Sequence, residues 1–200
     1  MQALSESVWI LSRKQRVSWD EFVAHWKAMY NYSSKNESYD TYVLNRPVAF
    51  VFEADHIREL YRWKNNTGDR LAAPKAASVE NKIVPHLEVI QQLYDRWDDS
   101  KFDTYFGGVS TVWQTYLMHI IQPARFPIFD QHVYRAYTYL QTGNAEELKG
   151  TTKRTLALYR QYQTFFDDIQ GQSRCDPRDL DKALWAFGKF IKQYKPLLSC

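Results

Sequence analysis

Gly107-Gly108 is the only pair of adjacent glycines in the chain, and a helix-patterned stretch opens directly after it. Adjacent glycines let a backbone turn through φ > 0 and leave its amides uncovered. Behind the pair, Val109, Val112, Trp113, Tyr116, Leu117, Ile120 and Ile121 recur at spacings of three and four, and Pro123 lies just past the end as a stop. The pattern is a tight turn feeding a helix. Its free N–H groups and the positive end of the helix dipole suit a phosphate. About twenty residues later, Pro127 and Asp130 precede a second helix whose expected buried face is Val133, Tyr134, Tyr137 and Leu140. Asp130 is well chosen as the N-cap. It also sits where its carboxylate can face whatever the glycine turn holds.

The rest of the chain carries helical punctuation as well. Ser18-Trp19-Asp20-Glu21 is a capping box, with Phe22, Val23, Trp26, Met29 and Tyr30 as the stripe behind it. Before it, Val8-Trp9-Ile10-Leu11 reads as a packed N-terminal arm followed by a basic turn. Residues 31–46 read as a loop. From Pro47 to Trp63 strand and helix patterns compete, and length together with a charged outer face favours helix. A helix is expected from about Ser78 to Trp97, kinked or started at Pro85, and Asp98 to Asp103 lead into the glycine turn. Gly143-Asn144 and Gly150 bracket a short helical turn. Thr152 opens a helix burying Leu156, Tyr159, Tyr162, Phe165, Phe166 and Ile169, and Asp176-Pro177 caps a last helix with the stripe Leu180, Leu184, Phe187 and Ile191. The expectation is an all-α chain of seven to nine helices without internal repeats. It forms one domain over 1–200, either undivided or built as two closely packed helical lobes, with a cleft near 105–135.

Composition narrows the function classes. With 26 Lys+Arg against 23 Asp+Glu the net charge is +3, which permits nucleic-acid contact without requiring it. The 14 Tyr, 11 Phe and 7 Trp supply both core and stacking surface. Cys175 and Cys200 make no disulfide framework, and no secretion signal or 18-residue apolar run is read, so a soluble, cytoplasmic chain is expected. No metal-ligand spacing, nucleotide-binding phosphate loop or Gly-x-Ser-x-Gly elbow occurs, and no cofactor is expected. His119, among Leu117, Met118 and Ile120, reads as a core histidine. His132, in the first turn after Asp130, either bonds phosphate or packs. Arg125, Lys101 and Arg135 are candidates for a backbone path, each alternatively a solvated charge.

Phe106-Gly107-Gly108-Val109-Ser110-Thr111-Val112 and Pro127-Ile128-Phe129-Asp130-Gln131-His132-Val133 together resemble the helix-hairpin-helix superfamily of DNA glycosylases, most nearly its 8-oxoguanine glycosylase branch. The resemblance covers about 35 residues well, and Leu184-Trp185-x-x-Gly188-Lys189 is similar to that family's closing helix. It implies Asp130 as the catalytic carboxylate. It also implies Gly107, Gly108, Val109, Ser110, Thr111 and Val112 as the DNA-holding hairpin, with Arg125 and His132 beside the strand. Gly107 stands for the family's proline and Ser110 for its second glycine. Val112, or Thr111 with a one-residue shift, stands where bifunctional members carry a lysine, which implies a monofunctional enzyme. The four-cysteine cluster loop of the endonuclease III type is missing.

The function expected is therefore a monomeric DNA glycosylase-like protein, acting on DNA and not on membranes, that releases a damaged or modified base. The alternatives are a non-catalytic helix-hairpin-helix DNA-binding module and a protein-interaction domain using its aromatic surface.

Overall fold

The computed structural model describes residues 17–32, 37–47, 49–65, 70–148 and 155–198, with the side chains of Glu37 and of 195–198 outside that description. The apolar arm at Val8 to Leu11 and the helix start at Thr152 lie outside the described residues. Among the described residues the protein is all-α. Its nine helices longer than one turn are α1 Trp19–Lys27, α2 Ala54–Asn65, α3 Ala73–Lys82, α4 Leu87–Asp95, α5 Asp99–Phe106, α6 Thr111–Ile121, α7 Gln131–Thr142, α8 Leu156–Gln172 and α9 Pro177–Leu198. No described helix is long and apolar enough to cross a membrane.

The helix starts follow local chemistry. Ser18 and Glu21 close the reciprocal capping box at α1. Asp98 accepts from the Lys101 amide at α5, Thr155 from Leu158 at α8, and Asp176 from the Arg178 amide at α9. Several boundaries differ from the sequence expectation. Residues 37–44, expected as loop, form a helical turn continued as a π turn. There Tyr39 is fully buried against Trp63, and tertiary packing overrides a polar composition. The 47–63 helix begins only at Ala54, because Phe50 and Phe52 are buried by an extended lead-in in which Gln91 bonds the Phe52 amide and the Phe50 carbonyl. The 78–97 helix splits into α3 and α4. Pro74 lies in the first turn of α3, and Pro85 ends the run in a 3-10 turn because its ring cannot continue the ladder. Residues 144–148 have no helical turn.

The glycine pair differs most from expectation. Gly107 is right-handed (φ −58°), and among the described glycines only Gly143, capping α7, has positive φ (73°). A β-carbon at Gly107 would lie 2.5 Å from the Asp103 carbonyl oxygen, so glycine is needed for close approach and not for handedness. Val109 precedes α6, which starts at Thr111.

α9 organises the packing, lying along α7 on one side and α1 on the other. Phe187 meets Phe22 and Trp26 at centroid distances of 5.3 and 4.9 Å. Against α7 the approach is closer: a β-carbon at Gly188 would lie 1.9 Å from the His132 carbonyl oxygen. Arg135, a candidate for a phosphate path, is instead fully buried here. It donates from Nε and Nη2 to Glu147 (2.8 and 2.7 Å) and from Nη1 to the Gly188 carbonyl (2.8 Å). The α7 face thus buries Val133, Tyr134, Arg135, Ala136 and Thr138, while Tyr137 and Leu140 are only half-buried. α4 and α8 pack on α6, and α8 also reaches α7.

Candidate functional site

A cleft of about 800 Å³ opens where the starts of α6 and α7, the end of α2 and one face of α9 converge. α6 contributes Ser110, Val112 and Trp113, and α7 contributes Ile128, Asp130, Gln131 and His132. The segment after α1 brings Tyr30, Asn31 and Tyr32, α2 brings Trp63, Lys64 and Asn65, and α3 brings Lys75. α9 adds Arg178, Asp181, Trp185 and Lys189, spaced three and four apart along one helical face.

Asp130 caps α7 with one oxygen. Oδ1 accepts from the amides of His132 (2.7 Å) and Val133 (3.0 Å), and among the described residues no group donates to Oδ2. The carboxylate is therefore oriented by its own helix start and keeps an acceptor available on the cleft side. At the facing α6 start Ser110 makes no side-chain cap. The amides of Gly108, Ser110, Thr111 and Val112 have no partner among the described residues, whereas those of Gly107 and Val109 donate to Asp103 and Phe106. Val109 also buries its side chain. Lys82 Nζ donates to the Gly108 carbonyl at 2.8 Å.

His132 is half-buried, its ring tilted against Trp185 at a centroid distance of 5.1 Å, with Arg135 Nη1 3.2 Å from its Nδ1. Burial holds its imidazole below the ordinary histidine value; Asp130 opposes this, and Arg135 and nearby lysines reinforce it. Arg125 is not in the cleft. It lies 3.8 Å from Asp99 and over the rings of Trp97 and Phe126. Those contacts hold it beyond the C-terminal end of the 11-residue α6, roughly 16 Å along the axis from the glycine turn. Lys101 bonds Gln92 and does not line the cleft either. Two of the three aspartates before the glycine turn are spent elsewhere, Asp98 as a cap and Asp99 on Arg160 (2.8 Å).

The same cleft is lined by a second carboxylate that the sequence pattern does not single out. Asp181 is 6 % exposed, contacts Arg178 through Oδ2, and leaves Oδ1 without a partner. Burial pushes it above the ordinary carboxylate range, against the nearby charges of Arg178 and Lys64 and with that of Asp130. Aromatic walls complete the cleft: Tyr32 lies 5.1 Å from Trp63 and 5.7 Å from Trp185, and Tyr30 lies 5.2 Å from Trp185. Lys189 sits over the Trp185 ring and donates to Asn31, and Lys75 donates to Asn65. The cleft is thus a polar slot with aromatic sides and a lysine-bearing rim. Aromatic sides and rim lysines have the chemistry to stack a planar group and to attract an anionic one.

Behind Trp63 a buried ladder stiffens that wall. Tyr39 stacks on Trp63 at 4.3 Å and donates its hydroxyl to His119 Nε2 at 2.6 Å. His119 Nδ1 donates to the Phe126 carbonyl at 2.6 Å, which fixes the neutral tautomer. His119 is a core histidine with two bonds, and burial pushes its pKa down to about 3. Among the described residues no group of three or more His, Cys, Asp or Glu side chains could hold a metal ion.

The missed lining residues come from segments up to 159 positions apart, Tyr30 to Lys189. Only the α9 stripe left a local trace, as polar positions at helical spacing beside the apolar face. No protein-family model matches the chain, and no curated protein and no solved structure matches it either.

Proposed function

We propose that this protein is a helix-hairpin-helix, DNA glycosylase-like protein that binds duplex DNA and hydrolyses the N-glycosidic bond of a damaged or modified base, with Asp130 as the catalytic carboxylate. The observation that carries the reading is that Asp130, oriented by two amides and with no described group donating to Oδ2, borders the same cleft as Ser110 and Val112 at the start of α6. A phosphate on the uncovered amides of Gly108, Ser110, Thr111 and Val112 anchors the strand. The lysines of the rim follow its backbone. An extruded nucleotide then enters between the aromatic walls with its sugar toward Asp130.

As the C1′–N bond breaks, its electron pair leaves with the base, and the carboxylate stabilises the positive charge on the sugar. A water adds to C1′ and gives up its proton to Asp130 or to solvent. With Thr111 and Val112 at the hairpin position that carries a lysine in bifunctional glycosylases, the reaction ends at the abasic site.

The test is base release from duplexes carrying damaged or modified bases, comparing wild type with Asp130→Asn. Asparagine caps a helix nearly as well as aspartate, so the fold survives while the charge is lost, and release falls by about a hundredfold or more. Unchanged release removes Asp130 from the mechanism. Salt-dependent duplex binding that survives the substitution, with no release by wild type, leaves a non-catalytic DNA-binding module.

A further inference from the structure

A second cavity, of about 600 Å³, lies between α2 and α3. Arg58 and Arg62 of α2 face it across Ala76 and Glu80 of α3, with Arg70 and Leu71 from the segment entering α3. Arg58 and Arg62 are four positions apart and share one helical face. Lys64, two positions past Arg62 and so about 200° further round α2, lines the cleft instead. The two hollows therefore sit on opposite sides of one helix and have no lining residue in common.

The charges around this cavity divide into a settled group and an open one. Arg58 forks onto Glu80, Nε to Oε1 and Nη2 to Oε2 at 2.7 Å each, and its Nη1 donates to Asp55 at 2.8 Å. The fork ties α3 to α2 and occupies the only carboxylate among the described lining residues. Arg62, half-buried, and Arg70, exposed, have no hydrogen-bond or ion-pair partner among the described residues. The first turn of α3 holds no acidic side chain to offer them one. A lone arginine on an open surface is satisfied by water. Two at one concavity raise its positive potential, because low-dielectric walls focus the field there.

The ligand chemistry follows from charge and size. Guanidinium groups pair with phosphate through parallel N–H···O bonds, and two of them match a phosphomonoester, whose charge near neutral pH is about −2. The cavity falls within the range of small-molecule pockets, roughly 300–1,000 Å³, so a phosphate group by itself leaves most of it empty. Leu71, Ala76 and Val79 give the remainder an apolar floor. A duplex following the lysines of the cleft rim runs on the other side of α2.

We propose that the cavity between α2 and α3 is a binding site for a small phosphomonoester with an apolar body, its phosphate held by Arg62 and Arg70 and its body lying on Leu71, Ala76 and Val79. The site is separate from the cleft and does not rest on the function assigned to it.

The experiment titrates the full chain with phenyl phosphate by calorimetry at low salt and about pH 7.5. Wild type saturates, and inorganic phosphate, which leaves the apolar floor uncovered, binds several-fold more weakly. Arg62→Gln/Arg70→Gln lowers the affinity for phenyl phosphate tenfold or more; both side chains lie outside the core, so the variant keeps its fold. Lys75→Gln/Lys189→Gln, which removes the same charge from the cleft rim, binds as wild type does. Affinity also falls as the pH is lowered to about 5, since the ligand loses a negative charge near pH 6. Arg58 holds the Glu80 carboxyl below its ordinary range, and no described histidine lines the cavity, so the ligand is the group that titrates. The proposal is overturned by absence of saturable binding, by inorganic phosphate binding as tightly as phenyl phosphate, or by an affinity that ignores pH. It is equally overturned if the arginine variant binds as wild type does or if the cleft variant loses as much. Displacement of phenyl phosphate by a duplex lacking terminal phosphates overturns it too, and makes the cavity part of a DNA track.

Discussion

Arg135 and Arg178 are both guanidinium groups taken out of water, and the protein treats them in opposite ways. Arg135, between α7 and α9, is fully buried and spends all three nitrogens, two on Glu147 and one on the Gly188 carbonyl. Arg178, at the start of the same helix α9, engages Asp181 and the Tyr30 hydroxyl and leaves Nε unpaired. A fully satisfied buried charge fixes one packing arrangement, because any slip of the helices strands it. A partly satisfied one leaves an unmet demand, here in a residue that lines the cleft. The difference separates the joint of α7 with α9 from the cleft wall.

The sharpest way to break the comparison is to remove Arg135. Arg135→Met takes a buried donor away from Glu147 and from the Gly188 carbonyl and is expected to cost about 3 kcal/mol in chemical denaturation; a cost below about 1 kcal/mol would put Arg135 on the same footing as Arg178. Gly188→Ala attacks the same joint, since α7 and α9 must separate to admit a β-carbon, with a loss of roughly 3 kcal/mol.

His119 extends the comparison to a titrating group whose bonds are complete only when it is neutral. Its pKa, about 3 in the folded protein, lies below the ordinary value of about 6.5 expected unfolded, so between those values the unfolded chain binds more protons. The stability due to neutral His119 is therefore whole above about pH 6.5 and drains away as the pH falls toward 3, by an amount of order a few kcal/mol. Melting temperatures measured across that window should slope steeply in wild type and more gently in His119→Phe.

At the other pole, Arg178→Met/Asp181→Leu is expected to change stability by no more than about 1 kcal/mol in either direction, because apolar replacement of an imperfect buried pair is close to neutral. A loss near that of Arg135→Met would make the pair scaffold. The smallest effect on the fold belongs to Gly108, where a β-carbon meets nothing within 4 Å and φ is not positive. Gly108→Trp should leave the unfolding midpoint nearly untouched, within about 0.5 kcal/mol, while weakening salt-dependent duplex binding by blocking the amides beside it. Undiminished binding would take the hairpin out of the interface.

Much of the helical order is legible in the sequence. Ser18 with Glu21, Asp130 and Asp176 mark helix starts by chemistry confined to four residues. The stripe Leu180, Leu184, Phe187 and Ile191 is buried as its spacing demands. The failures share a cause. Tyr39 sits in a polar stretch that becomes helical only because Trp63 and His119 stack on it, and Phe50 and Phe52 are withheld from α2 by Gln91, some forty residues away. Arg135 looked like a surface charge because its partners Glu147 and Gly188 are remote in sequence. The glycine pair suggests handedness, yet Gly107 is present for clearance under Asp103, and Gly188, which stands alone in the chain, is more crowded than either member of the pair.

Periodicity and capping thus settle where this chain turns into helix and which stripe of each helix seeks the interior, since both depend on neighbours within about four positions. They carry no information about which stripes meet. That Asp130 shares a cleft with Tyr30, Trp63 and Asp181, and that one arginine of α9's surroundings is sealed while another is left wanting, came only from the docking of α9 against α7 and α1. Packing of that kind depends on the shapes of surfaces assembled from distant segments, with Gly188 setting how closely they approach.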